Sequence, residues 1–192
     1  MIEPEQATLA PQRASRGEKL LPFLIMTLVL LADQATKYLV ETRIPLYGVW
    51  APFPALEGIF RVVHTTNTGA VFGLFQGTGM FFAGLAVVVA AAIIYFNLTL
   101  PGHQWLLRIA LGLQLGGALG NLIDRLRQGH VTDFVDTGPW FIWNLADLAI
   151  TSGVILFGFA YWREIRREEA AKRATEQATA PYADVTDSSP QP

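Results

Sequence analysis

The chain contains no cysteine, which excludes disulfides, thiolate metal ligands and a cysteine nucleophile, and leaves the redox compartment unreadable. Charge is scarce: Asp, Glu, Lys and Arg make up 16% of 192 residues, where a soluble domain carries about 25%. A net charge of −2 offers nothing to nucleic acid. The three histidines, His64, His103 and His130, lack the HExxH-like spacing of a zinc site, so neither metal nor cofactor is expected. Of four serines, Ser15, Ser188 and Ser189 lie in polar stretches, leaving only Ser152 in an apolar one. Hydrolytic chemistry, if present, falls to carboxylates. What the chain does have is apolar sequence, 52% of it.

Residues 1–19 are polar, with Pro4, Pro11, Arg13, Arg16 and Lys19, and read as a cytoplasmic N-terminal tail. A first span at about 20–40 opens with LPFLIMTLVLLA and carries Asp33 and Lys37 toward its far end. Its basic start resembles a secretory signal peptide, but no clean small-x-small cleavage site follows and more spans do, which favours a retained anchor. Residues 41–79 are broken by prolines, glycines and aromatics around β-prone runs such as IFRVVHTT. This predicts a small strand-containing cap at the membrane interface, where Trp and Tyr rings sit.

A second span, 80–100, holds no charge in 21 residues, enough to cross a bilayer. Pro101 and Gly102 mark a tight turn. The third span, 105–124, has Arg108 near its inner end and glycines at 112, 116, 117 and 120, a small-residue face that lets membrane helices approach closely. Residues 125–139 read as an outer loop. A fourth span at 140–162 places Asp147 about two turns inside its outer end. Residues 163–192 read as a cytoplasmic C-terminal tail, a short helix fraying into disorder. The basic residues divide nine to five in favour of the side holding both termini, which puts the termini in the cytoplasm and agrees with four spans.

Each polar residue in this frame has a structural and a functional reading. Asp33 and Lys37, four apart, can pair on one helix face or merely mark the membrane edge. Asn67 with Gly69 is either a turn Asn or an amide offered to an extended substrate. Asn121 and Asp124 share a face at the end of span three, and Arg125 is the natural cation for Asp124, which casts Asp124 as an organiser. Asn144 and Asp147 repeat that three-residue spacing. Asp147 has no basic residue within a turn, so its partner comes from elsewhere in the bundle, and a carboxylate so placed is read as functional. Asp136 reads as a solvated loop carboxylate, whereas Asp133 is flanked by Val131, Phe134 and Val135. On these grounds Asp124 and Asp133 are both open as the partner of Asp147.

In order along residues 20–162, DQATK (Asp33 to Lys37), NTGAVF (Asn67 to Phe72), GGALGNLIDR (Gly116 to Arg125), VTDF (Val131 to Phe134) and NLAD (Asn144 to Asp147) resemble the prolipoprotein signal peptidases, the signal peptidase II family. The resemblance implies a mainly α membrane protein of the bacterial cytoplasmic (inner) membrane: a four-transmembrane-helix bundle with a small extracytoplasmic β-cradle. It implies an aspartic endopeptidase with Asp133 and Asp147 as the catalytic pair. Asp33, Lys37, Asn67, Gly69, Asn121, Asp124, Arg125, Asn144 and Ala146 are the implied supporting positions. The implied substrates are prolipoproteins already carrying diacylglycerol on the cysteine that becomes the new N-terminus, met in membrane lipid and cut without a cofactor. A proton-coupled transporter or channel subunit is the rival reading, since it too places Asp and Asn in spans. It predicts carboxylates through the full bilayer depth, whereas here they cluster toward one face.

Overall fold

The computed structural model describes residues 13–69, 77–138 and 141–179. Its first helix, α1 (Arg16–Arg43), starts at a capping box: the Ser15 hydroxyl accepts from the Glu18 N–H, and the Glu18 carboxylate accepts from the Ser15 N–H. Two short extended segments follow, β1 (Val49–Trp50) and β2 (Arg61–Asn67), with one 3₁₀ turn at Pro54–Leu56 between them. Then come α2 (Gly79–Thr99), α3 (Trp105–Gln128), β3 (Val131–Asp136), β4 (Ile142–Trp143) and α4 (Leu145–Thr179). Gly129, at φ 80°, ends α3 in the left-handed conformation that glycine adopts without strain. All four helices are long and apolar enough to cross a membrane. Among the described residues the fold is thus mainly helical, with four spans and one small antiparallel sheet.

Packing centres on α3. Of its most apolar stretch 67% is buried, against 17–22% for the other three helices, so α3 is the axis they surround. Its glycines make this possible. A Cβ on Gly112 would lie 2.7 Å from the Pro22 carbonyl oxygen, and one on Gly116 would lie 2.7 Å from Val29 Cβ, so these two seat α1. Gly117 and Gly120 meet Ala146, and Gly117 also meets Ile150, which seats α4. Outward-facing positions are apolar, as at Leu24, Leu28, Val87, Val88, Val154 and Ile155, while Asp33, Lys37, Arg108, Asp124 and Asn144 are fully buried. Arg108 caps the end of α2, donating to the carbonyls of Asn97, Leu100 and Pro101 and to the Asn97 side chain.

The sheet order is β1-β2-β3-β4, all antiparallel. Here the structure departs from the sequence reading. Residues 125–139 are not an outer loop: α3 runs on to Gln128, and Val131–Asp136 is a central strand of the sheet. Its residues are almost all buried, so alternation was absent and the apolar run VTDFV gave no period to read. The fourth helix begins at Leu145, because Ile142 and Trp143 pair with Asp136 and Val135. Asp147 is therefore in the first turn of α4, not two turns inside it. The stretch after Trp162, expected to be a short helix, is helical as an exposed, charged continuation of α4 to Thr179. Ala70 to Phe72 of the NTGAVF motif, Pro139, Trp140 and residues 180–192 lie outside the described residues.

Candidate active site

Asp133 enters the site from the middle strand β3, and Asp147 enters from the start of α4. Asn144 joins them. Its side-chain amide donates to Asp133 Oδ1 at 2.6 Å, and its side-chain oxygen accepts the Asp147 N–H at 3.0 Å. The Asn144 N–H in turn reaches Asp147 Oδ2 at 3.4 Å. Asn144 and Asp147 are thus N-cap and third residue of a reciprocal capping box, which explains their three-residue spacing by local helix chemistry. The second oxygen of Asp133 accepts from Asn67 Nδ2 at 3.0 Å across the β2–β3 pair, and Asn67 Oδ1 accepts the Gly69 N–H. The other oxygen of Asp147 accepts from Asn121 Nδ2 at 2.8 Å. Burial, then the nearby Asp147 carboxylate, pushes the Asp133 carboxyl up to about 6, against the pull of the Asn67 and Asn144 amides.

Beneath this pair lies a buried ion cluster. Lys37 Nζ contacts Asp33 Oδ2 at 2.9 Å, Asp124 Oδ2 at 2.7 Å and Asn121 Oδ1 at 2.9 Å, with all three charged side chains wholly buried. Asp33 and Lys37 are accordingly no interfacial pair marking a membrane edge. The expected Asp124–Arg125 partnership is also corrected: the cation of Asp124 is Lys37, because Asp124 turns inward toward α1. Asp124 further accepts from Gln34 Nε2 and the Thr132 N–H, so it ties α1 and β3 to α3. Arg125 instead donates to the carbonyls of Asn121 and Gly69 and lies over the Phe82 ring. Asp33 Oδ1 accepts the Ala146 N–H at 2.9 Å, fixing the first turn of α4 one residue before Asp147.

Asp136 is not solvated. It is 4% exposed and accepts from Arg61 Nε at 2.9 Å, with the Gly138 N–H on its other oxygen. Sequence reasoning missed Arg61, which stands opposite Asp136 in the β2–β3 register. It also missed Glu41, whose carboxylate gathers Arg127, Gln128 and the Thr132 hydroxyl beside Asp133. The signal for Glu41 was weak, since a carboxylate just past a span is ordinarily solvated.

Asp133 and Asp147 both line a cleft of about 500 Å³, together with Asn67, Gly69, Asn121 and Arg125. Its walls are otherwise largely apolar, from α2, α3 and α4. Asp33, Lys37 and Asp124 lie behind this lining. Among the described residues no group of three or more His, Asp or Glu side chains is placed to hold a metal ion. The arrangement offers two carboxylates, each held by amide donors, lining a largely apolar cleft.

Four apolar helices, an ion cluster buried where α1, α3 and the start of α4 meet, and a carboxylate pair facing one cleft define a multi-pass membrane protein built around an acidic site. The chain belongs to the signal peptidase II family: the model described as signal peptidase (SPase) II matches residues 25–163. It is similar to the lipoprotein signal peptidase of Moorella thermoacetica, 44% identical over 137 residues, covering 71% of this chain and 89% of that one. It is 39% identical over 152 residues to the lipoprotein signal peptidase of Shouchella clausii, covering 79% and 99%. A solved bacterial membrane enzyme structure, obtained by the in meso method at 2.3 Å, matches with a TM-score of 0.71 and 31% identity over 80% of this chain and 93% of that one.

Proposed function

We propose that this protein is an aspartic endopeptidase that removes signal peptides from diacylglyceryl-modified prolipoproteins, cutting on the N-terminal side of the lipidated cysteine. Asp133 and Asp147 are the catalytic pair. The observation that carries the reading is their convergence, from separate elements, on one cleft through a shared Asn144. Family membership supports the same substrate class. The raised Asp133 value supports a pair that holds one proton between two carboxyls near neutral pH.

The ionised carboxylate takes a proton from water as the water oxygen attacks the scissile carbonyl. The protonated carboxyl hydrogen-bonds the oxygen that gains charge. Collapse of the tetrahedral intermediate breaks the C–N bond, and the departing amine takes a proton from the pair. Asn67, Asn121 and Asn144 hold the two carboxylates in position, and the Lys37 cluster fixes the helices that carry them. Arg125 and Gly69 bind or align the extended peptide at the cleft mouth. The acyl chains remain among apolar side chains and lipid. The protein acts in the cytoplasmic membrane with both termini in the cytoplasm, the site near the outer face.

Purified protein should cleave a lipidated precursor and leave its unlipidated form intact or nearly so. Proton flux in reconstituted vesicles, without cleavage of any precursor, refutes the peptidase reading and favours transport. Reporter fusions near residue 10 and after Arg173 should both report cytoplasm, and an outside signal from either overturns the orientation.

A further inference from the structure

Gln114 and Thr151 line the same cleft, yet neither has a role in holding the carboxylates. Gln114 sits near the middle of α3, and among the described residues its amide has no hydrogen-bond partner. Among the described residues Thr151, exposed on α4, is likewise without a partner, whereas the helical Thr27, Thr36, Thr42 and Thr99 hydroxyls all donate to carbonyls three or four residues back. An unpaired amide in the middle of a membrane span is costly, and such residues by default mark function. Gly153 keeps room for it, since a Cβ there would stand 2.7 Å from Gln114 Cγ.

We propose that Gln114, with Thr151, recognises the ester carbonyls of the diacylglyceryl group on the substrate cysteine. The inference rests on the peptidase reading above and adds the residues that read the lipid. Gln114 lies seven residues, or two turns, below Asn121 on one face of α3, a drop of about 10 Å. Asn121 touches Asp147. From the scissile carbonyl through the cysteine thioether and glycerol to an ester carbonyl is about eight bonds, which extended also span roughly 10 Å. An extended stretch of signal peptide reaches as far but fits less well. It presents unpaired N–H and C=O groups at every residue, all of which need partners in a membrane. Two esters need only donors, and the Gln114 amide and Thr151 hydroxyl supply them.

The test compares kcat/KM for a diester-lipidated precursor and for the same precursor carrying a dialkyl-ether glycerol, which keeps the chains and removes the carbonyls. The parent should favour the diester by about fivefold, the scale of one neutral hydrogen bond. Gln114→Met, of similar volume, should lose most of that preference while cutting the diether substrate at the parent rate. Thr151→Val should lose a smaller part. Equal loss on both substrates, or an undiminished preference, overturns the assignment; equal loss would point to the peptide. A Gln114→Met protein with unaltered thermal stability excludes misfolding as the cause. A parent protein inert toward every precursor refutes the peptidase reading itself, a result distinct from failure of the lipid assignment.

Discussion

Asp133→Asn should abolish cleavage and, at the same time, flatten the dependence of stability on pH. Asp133 is 4% exposed, and burial beside Asp147 pushes its carboxyl up to about 6 in the folded protein, against 3.8 for a free, solvated aspartate. The folded value is the higher one, so between pH 4 and 6 the folded state holds a proton that the unfolded state lacks. Stability therefore rises as pH falls through that window, and above it the folded state carries the full cost of the buried charge. About two pH units at about 1.4 kcal/mol each give a cost of about 3 kcal/mol. About 1 kcal/mol of it is relieved between pH 7 and pH 5. The variant carries no charge at position 133 to relieve, although Asp147 remains. Its absolute gain at pH 7 is smaller than about 3 kcal/mol, because an amide gives one oxygen where the carboxylate gave two. Either Asn67 or Asn144 then faces an NH₂, and neither can simply flip, since their oxygens already hold the Gly69 and Asp147 N–H groups. Thermal unfolding of both proteins in one detergent at pH 5 and pH 7, with cleavage followed in parallel, measures the difference. The parent should gain about 1 kcal/mol more than the variant on acidification. Equal pH slopes for the two proteins, or cleavage by the variant, would refute the reasoning.

Lys37→Met should cost about 3–5 kcal/mol, because Asp33 and Asp124 are left as buried charges without a cation; adding Asp124→Asn should restore part of the loss, and a stable single variant in a thermal melt counts against the cluster as drawn. Asp136→Asn should lower stability by about 1 kcal/mol, a small figure because Arg61 is partly exposed, and should slow cleavage without stopping it. Gly117→Ala should push α4 away, since the new Cβ meets the Ala146 carbonyl oxygen and lies 2.7 Å from Ile150 Cγ1, with a cost of about 1–3 kcal/mol and loss of activity. Gly84→Ala, with nothing within 4 Å of its new Cβ, is the matched control and should melt and cleave like the parent.

The spans were legible because uninterrupted apolar runs of about 20 residues leave few alternatives in water. The glycine face of α3 was legible for a related reason, as small residues in a span have little use except close approach. Asn144 and Asp147 stood out by spacing, although what the spacing encodes is a helix cap. The errors came from pairing. Nothing local tells Asp124 to choose Lys37, 87 positions earlier, over the adjacent Arg125; the choice follows from which side of α3 faces α1. Asp136 looked solvated because its partner Arg61 arrives through a strand register that the intervening α2 and α3 hide. Residues 131–136 looked like a loop because a strand buried on both faces has no polar–apolar alternation.

The sheet has a consequence for the way the molecule is made. Its strands come from two stretches separated by α2 and α3, and Asp133 in β3 is flanked by β2 on one side and β4 on the other. Asp147 follows β4, and Asp33 from the first helix is the group that receives the start of the last. During synthesis, a chain that has emerged only through α3 holds Asp33, Lys37 and Asn121 but has no Asp147 and no edge to close over Asp133. These contacts join residues far apart in sequence and form late. If Asp133 and Asp147 are the catalytic pair, as proposed above, the nascent chain has no cutting capacity until the last helix is in the membrane.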